Sequence, residues 1–276
     1  MRYYLAIFTT IVFYSTVEVI TKKLGAVDPN LLAFLRFFPS GVIILLIGRR
    51  HFRHVRPRDL LWLALLGVIG ITLTFTAYHG SLAMKEFPAS TGAVIFSINP
   101  VFSMLTAWLL LRERLTIKLV VGVLFGLVGV YIVSFGFERV TFASAKAPLL
   151  MFGAQVCFGI YVAAAKRYVF RYGPFFVNGV IFIVGSVLFL PMIGQWHVPA
   201  DPVTLWWLVY LALLATGLAY VLYFYGLNKV PIAAGTSIFY LKPVLAPLLA
   251  AHVLHDRLGL NFFIGLVIIF VSLGLT

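Results

Sequence analysis

Residues 87–115, FPASTGAVIFSINPVFSMLTAWLLLRERL, lie over residues 230–258, VPIAAGTSIFYLKPVLAPLLAAHVLHDRL, without a gap, at a constant offset of 143 (Pro231 less Pro88). Pro88 falls on Pro231, Gly92 on Gly235, Ile95-Phe96 on Ile238-Phe239, Pro100-Val101 on Pro243-Val244, and Arg114-Leu115 on Arg257-Leu258. The same register carries forward to Gly122 on Gly265 and back to Lys23 on Lys166. Matches of Leu and Val mean little in an apolar chain. Matches of Pro and Gly mark repeated backbone geometry. The chain reads as one unit written twice, over 1–136 and 147–276, with 137–146 as an external linker.

The material of that unit belongs in lipid. Hydrophobic residues make up 62% of the chain and charged ones 11%, against roughly half and a quarter in soluble domains. Apolar segments of about 20 residues, the length that crosses a hydrocarbon core, recur at 3–24, 30–48, 60–84, 89–111, 118–136, 147–168, 174–194, 203–226, 232–254 and 260–276. The first is too long, and lacks the small-residue cleavage site, for a secretory signal, so it is expected to stay in the mature protein. Five spans per copy is an odd number, so the second copy enters the membrane from the opposite face. The expected fold is an all-α integral membrane protein of ten transmembrane helices in two inverted five-helix repeats, with a binding region between them. Gly122 and Gly126 predict close packing of the fifth span. The tenth is nearly featureless and is expected at the periphery, or in a dimer contact of a protein that is otherwise a monomer.

The net charge of +13 is no signature of nucleic acid here, because the basic residues sit in short loops. Loops on the side of both termini carry the excess, five arginines of it in RRHFRHVRPRD (49–59). Loop 195–202, QWHVPADP, has no Lys or Arg. Positive-inside bias then places both termini in the cytoplasm, in a multi-pass protein of an inner or cytoplasmic membrane. Cluster 49–59 reads first as a topology anchor and second as a contact for anionic headgroups. The one cysteine, Cys157, permits no internal disulfide.

Leu35-Arg36-Phe37 and the series Pro-Ala-Ser, Pro-Val-Phe and Leu-Arg-Glu-Arg-Leu within 88–115, set in a five-plus-five arrangement, resemble the drug/metabolite transporter superfamily in its EamA-like branch. The resemblance covers essentially the whole chain. It implies ten helices, cytoplasmic termini, a central cavity between the halves, and export or exchange of small metabolites by alternating access. Tyr14-Ser15 stands where the family's first helix usually carries Trp-Gly.

Polar residues inside the spans point to the chemistry. A carboxylate such as Glu18, about 15 residues into the first span, costs on the order of 2.5–3.5 kcal/mol in lipid and must face protein or water. With Tyr14 one turn earlier it forms a pocket for a cation, or it pairs with Lys22. Lys242 and its repeat mate Asn99 are central in the ninth and fourth spans, and each precedes a proline, Pro243 and Pro100. Proline withholds a donor from the carbonyl four residues back, so both helices are expected to bend there, with the prolines as hinges. Lys242 then lines a cavity, is a structural partner of Glu18, or lies neutral in a packed core. His79 lies at about the depth of Glu18, as a proton-relay partner or as a hydrogen-bonded core residue. Tyr78, Tyr161 and Tyr240 supply aromatic cavity surface or packing. For Arg36 a structural role is preferred.

No catalytic constellation, metal-ligand spacing or phosphate loop is visible, so no enzyme activity, metal or cofactor is expected. The expected partners are the bilayer and a small-molecule substrate, with proton coupling through Glu18 or His79. One buried charge of each sign fits an amino acid, its ammonium on Glu18 and its carboxylate on Lys242. Two alternatives stand beside this: a carrier of quaternary or aromatic cations with Glu18 as counter-charge, and a passive channel.

Overall fold

The computed structural model describes residues 2–82, 84, 94–137, 144–245 and 259–276. The pairings of Pro88, Gly92 and Arg257, the core of linker 137–146, the start of span 89–111 and the end of span 232–254 lie outside the described residues, as does the side chain of Glu18. The fold is all-helical, 85% helix, with no strand among the described residues. Helices keep every backbone bond within the segment, which is the condition for crossing lipid.

Helices α1 (Arg2–Lys23), α2 (Pro29–Gly48), α3 (Pro57–Gly67), α4 (Thr74–Leu82), α5 (Asn99–Leu111), α6 (Ile117–Phe135), α7 (Lys146–Val187), α8 (Pro202–Ala212), α9 (Ala219–Leu227), α10 (Ile232–Ser237) and α11 (Leu260–Leu275) follow in order. A π-helical turn, Val68–Leu73, joins α3 to α4, and another, Leu213–Leu218, joins α8 to α9. Helix α7 breaks at Gly173, whose φ of 75° suits glycine, with Pro174 restarting the helix. Among the described residues six helices are long and apolar enough to span a membrane: Pro29–His51, Pro57–Ser81, Val94–Leu111, Ile117–Phe135, Lys146–Met192 and Pro202–Leu227. Helix starts obey local chemistry. Asp28 accepts from the amides of Asn30 (2.8 Å) and Leu31 (3.1 Å), and Asp201 from that of Thr204 (2.9 Å). A proline follows each aspartate at the first helical position.

The chain forms two compact units, and each takes residues from both sequence halves. The first comprises Met1–Thr76 and Ala164–Val230. Within it α1 packs on α9, where Thr10 Oγ1 donates to the Ala219 carbonyl at 3.0 Å. The π-turn after α8 is held by α2: Ser40 Oγ donates to the Ala212 carbonyl, and Arg36 Nε to Thr216 Oγ1 at 3.4 Å. The π-turn after α3 is held by the C-terminal part of α7, where Thr72 Oγ1 donates to the Gly185 carbonyl at 2.7 Å.

The second unit comprises Ala77–Ala163 and Pro231–Thr276. Helices α6 and α11 lie against each other along Gly122, Gly129 and Gly265. A Cβ on Gly265 would stand 2.7 Å from the Gly129 carbonyl oxygen. Ser272 Oγ donates to the Gly122 carbonyl at 2.7 Å. The last helix is thus tightly packed on one face, while Phe263, Val267, Phe270 and Val271 are exposed on the rest. Trp108, Leu109 and Leu110 of α5 and Leu124, Phe125 and Val128 of α6 are exposed as well. Water would penalise such a surface, and acyl chains do not.

Candidate functional site

The two proline-bearing segments interrupt their helices. Before Pro100, the amides of Ser97 and Ile98 donate three residues back, to Val94 and Ile95, at 3.0 and 3.1 Å, and just after it Val101 donates to Ile98 at 2.9 Å. Before Pro243, residues Ile238–Leu241 form a 3₁₀ turn. Both breaks fall in the turn before the proline ring, because a ring nitrogen cannot close the α-helical bond.

Lys242 emerges from the second break. Its Nζ stands 4.3 Å from the centroid of the Phe96 ring, and its side chain is half-buried. A cation–π contact removed from water reaches about 2 kcal/mol. Phe96 is the hub of an aromatic cluster, with centroids 6.0 Å from Tyr78 and 6.1 Å from Phe239. Phe158 closes it, 6.4 Å from Phe239 and 5.7 Å from Tyr161. His79 is buried next to Tyr78, their rings 5.6 Å apart. Two break segments, α4 and α7 therefore put one cation and a set of aromatic faces together.

Asn99, one residue before Pro100, is fully buried. Its Oδ1 accepts from Ser103 Oγ at 3.1 Å, while its Nδ2 has no hydrogen-bond partner among the described residues. Gln155 on α7, 1% exposed, is in a like condition. Among the described residues its Nε2 reaches only the Met151 sulfur, 3.9 Å away, and its Oε1 has no partner. A buried amide atom left unmet costs about 1–3 kcal/mol. Such groups are rare in native interiors and call for a reason.

Six of the residues expected from the sequence, namely Tyr78, His79, Asn99, Tyr161, Lys242 and Pro100, are set around this cluster, and Pro243 follows Lys242. Tyr240 turns elsewhere. Its hydroxyl donates to the Val123 carbonyl at 2.8 Å and its ring fills the space above Gly126, so its visible work is packing. Tyr14 lies in the first unit, its ring 5.3 Å from that of Tyr220. There Tyr220 also meets Phe37 (6.1 Å) and Phe182 (5.0 Å). Arg36 is buried beside them, 5.3 Å from the Phe37 ring and 5.6 Å from that of Phe75. Its bond to Thr216 in the π-turn accords with a structural role. Gln155 escaped the sequence reading. An isolated Gln in an apolar helix gives no sign of burial, although its i+4 position to Met151 and i−4 position to Gly159 put it on the packed face of α7.

The family model for the EamA-like transporter family matches residues 1–135 and again 145–276. A transporter of Clostridium kluyveri, itself uncharacterized, is 25% identical over 98% of this chain and 91% of its own. A probable terminal-alkyne amino-acid exporter of Streptantibioticus cattleyicolor is 29% identical over 76% of this chain and 71% of its own. A solved crystal structure superposes with a TM-score of 0.82 at 22% identity, covering 99% of this chain and 96% of that one, and so has the same fold. Two successive matches of one family model, over a polytopic helical chain, make this protein a member of the EamA-like transporter family.

Proposed function

We propose that the protein is a secondary transporter, an exporter or exchanger, of small metabolites such as amino acids, working by alternating access across the cytoplasmic membrane. The observation that carries this reading is the Lys242 ammonium over Phe96, at a helix break, inside an aromatic cluster. A fixed cation beside apolar faces suits a carboxylate-bearing metabolite with an apolar or neutral body. The same cation disfavours a quaternary amine at that ring, since a second positive charge would meet the first. The amino-acid exporter among the relatives supports the substrate class.

Ten crossings in two inverted repeats fit the observed lengths. The 47-residue stretch Lys146–Met192, broken at Gly173, suffices for two. The 22-residue α1 and the shorter apolar helices Ile232–Leu245 and Leu260–Leu275 supply three beyond the other five long spans. The repeated devices support a shared ancestor for the halves: breaks before Pro100 and Pro243, and π-turns at 68–73 and 213–218. Positive-inside bias puts both termini in the cytoplasm. Pro100 and Pro243 are the proposed flexing points, and Glu18 or His79 the proposed proton-coupling groups.

Counterflow into proteoliposomes tests the reading. Wild-type protein is expected to exchange labelled for unlabelled amino acid saturably, and Lys242→Met to lose about tenfold or more of that flux, the scale of one charged contact. Linear, unsaturable flux would mark a channel. Preference for choline-type cations, untouched by Lys242→Met, would mark a cation carrier.

A further inference from the structure

Asn99 and Gln155 each lie between the same two contacts of two packed helices. Ile95 packs on the cluster of Ala147 and Met151, and Gly159 lies against Ser103, whose backbone nitrogen would be 2.9 Å from a Cβ there. Contacts at 95 and at 102–103 on one helix thus meet 147–151 and 159 on the other, in the same direction. Asn99 falls between the first pair of contacts and Gln155 between the second. Among the described residues one presents an unmet amide donor and the other an unmet carbonyl acceptor, both at least 99% buried, and no hydrogen bond joins them. They adjoin the aromatic cluster. Asn99 is one turn from Phe96 and Gln155 one turn from Phe158, and both of those rings meet Phe239. Phe96 in turn carries Lys242.

We propose that Asn99 and Gln155 form a neutral clamp that recognises a primary carboxamide on the substrate, beside Lys242 as its anion contact. A carboxamide offers an acceptor and a donor on two atoms of one plane. Its oxygen accepts from the Asn99 Nδ2–H and its N–H donates to the Gln155 Oε1. The substrate class is then amino acids with an uncharged amide side chain, with the aromatic rings covering the methylene stem. This deepens, and rests on, the transport reading above.

A site built to hydrogen-bond one group rejects the analogue that lacks it far more strongly than a greasy pocket rejects an extra atom. The test is counterflow with L-glutamine and with L-methionine, which matches it in length and has no amide. In wild-type protein the half-saturation for glutamine is expected at least about tenfold below that for methionine. Asn99→Leu and Gln155→Met are expected to bring the two values within about threefold of each other, chiefly by weakening glutamine. Equal half-saturation in wild-type protein overturns the clamp without needing any variant to fold. So does an unchanged ratio in variants that fold. If both amino acids are carried equally and both are lost in Lys242→Met, the clamp falls and the transport reading stands. If wild-type protein carries no amino acid saturably, the transport reading falls and takes the clamp with it.

Discussion

A single ammonium sets the expectations at the scale of residues. Lys242 lies over the Phe96 face, and an aromatic face tolerates either long cation. Lys242→Arg is therefore expected to keep part of the exchange that Lys242→Met loses, read as initial counterflow rates. Tyr240 separates packing from binding. Tyr240→Phe removes one bond to the Val123 carbonyl and is expected to cost about 0.5–1.5 kcal/mol of stability, seen as a lower melting temperature, with half-saturation for substrate unchanged. A large rise in half-saturation would put Tyr240 back in the path. Lys242 and Asn99 were legible in the sequence because charge and amide are costly in lipid wherever they face. The direction of Tyr240 was not, since it depends on the 3₁₀ turn that carries it. Gln155 was not legible either, because its burial comes from the close approach of Gly159 to Ser103 on another helix.

Elements carry predictions of their own. Helices α6 and α11 meet backbone to backbone at Gly129 and Gly265, so Gly265→Ala forces a methyl group to 2.7 Å from a carbonyl oxygen. It is expected to destabilise by about 1–3 kcal/mol. Gly274→Ala, with nothing within 4 Å of the new carbon, is expected to be neutral or to stabilise by up to about 1 kcal/mol. Equal melting temperatures for the two variants in detergent would contradict the packing. Asp201, at the N-terminus of α8, is held below the usual carboxylate range first by its side-chain bond with Thr204 and then by the amide of that residue. Its folded value lies under its unfolded one. The cap's stabilisation is therefore present above the unfolded value and lost as pH falls through the folded one. The gap in melting temperature between wild-type protein and Asp201→Ala is expected at neutral pH and to close in acid below the ordinary carboxylate range. Helix ends and proline breaks could be read ahead because their causes are local. The π-turns could not, since a wider hydrogen-bond register has no residue signature in VIGITL or LLATGL beyond the Gly and Thr they share.

At the scale of the molecule, lipid as solvent was plain from composition, and the aligned Pro, Gly and Arg pointed to a duplicated unit. Two matches of one family model came with them. The gathering of both halves into each compact unit was not legible, because contacts between distant helices leave no periodic trace. Inversion of the second copy is the claim from which transport by alternating access follows. It is tested most directly by reacting single cysteines with a membrane-impermeant thiol reagent in intact cells. In a Cys157→Ser background, Lys23→Cys marks the end of the first span, and Arg167→Cys, next to the repeat mate Lys166, marks the same point of the second copy. The account predicts labelling of Lys23→Cys from outside, and of Arg167→Cys only after the cells are opened. Labelling of both from the same side would contradict it.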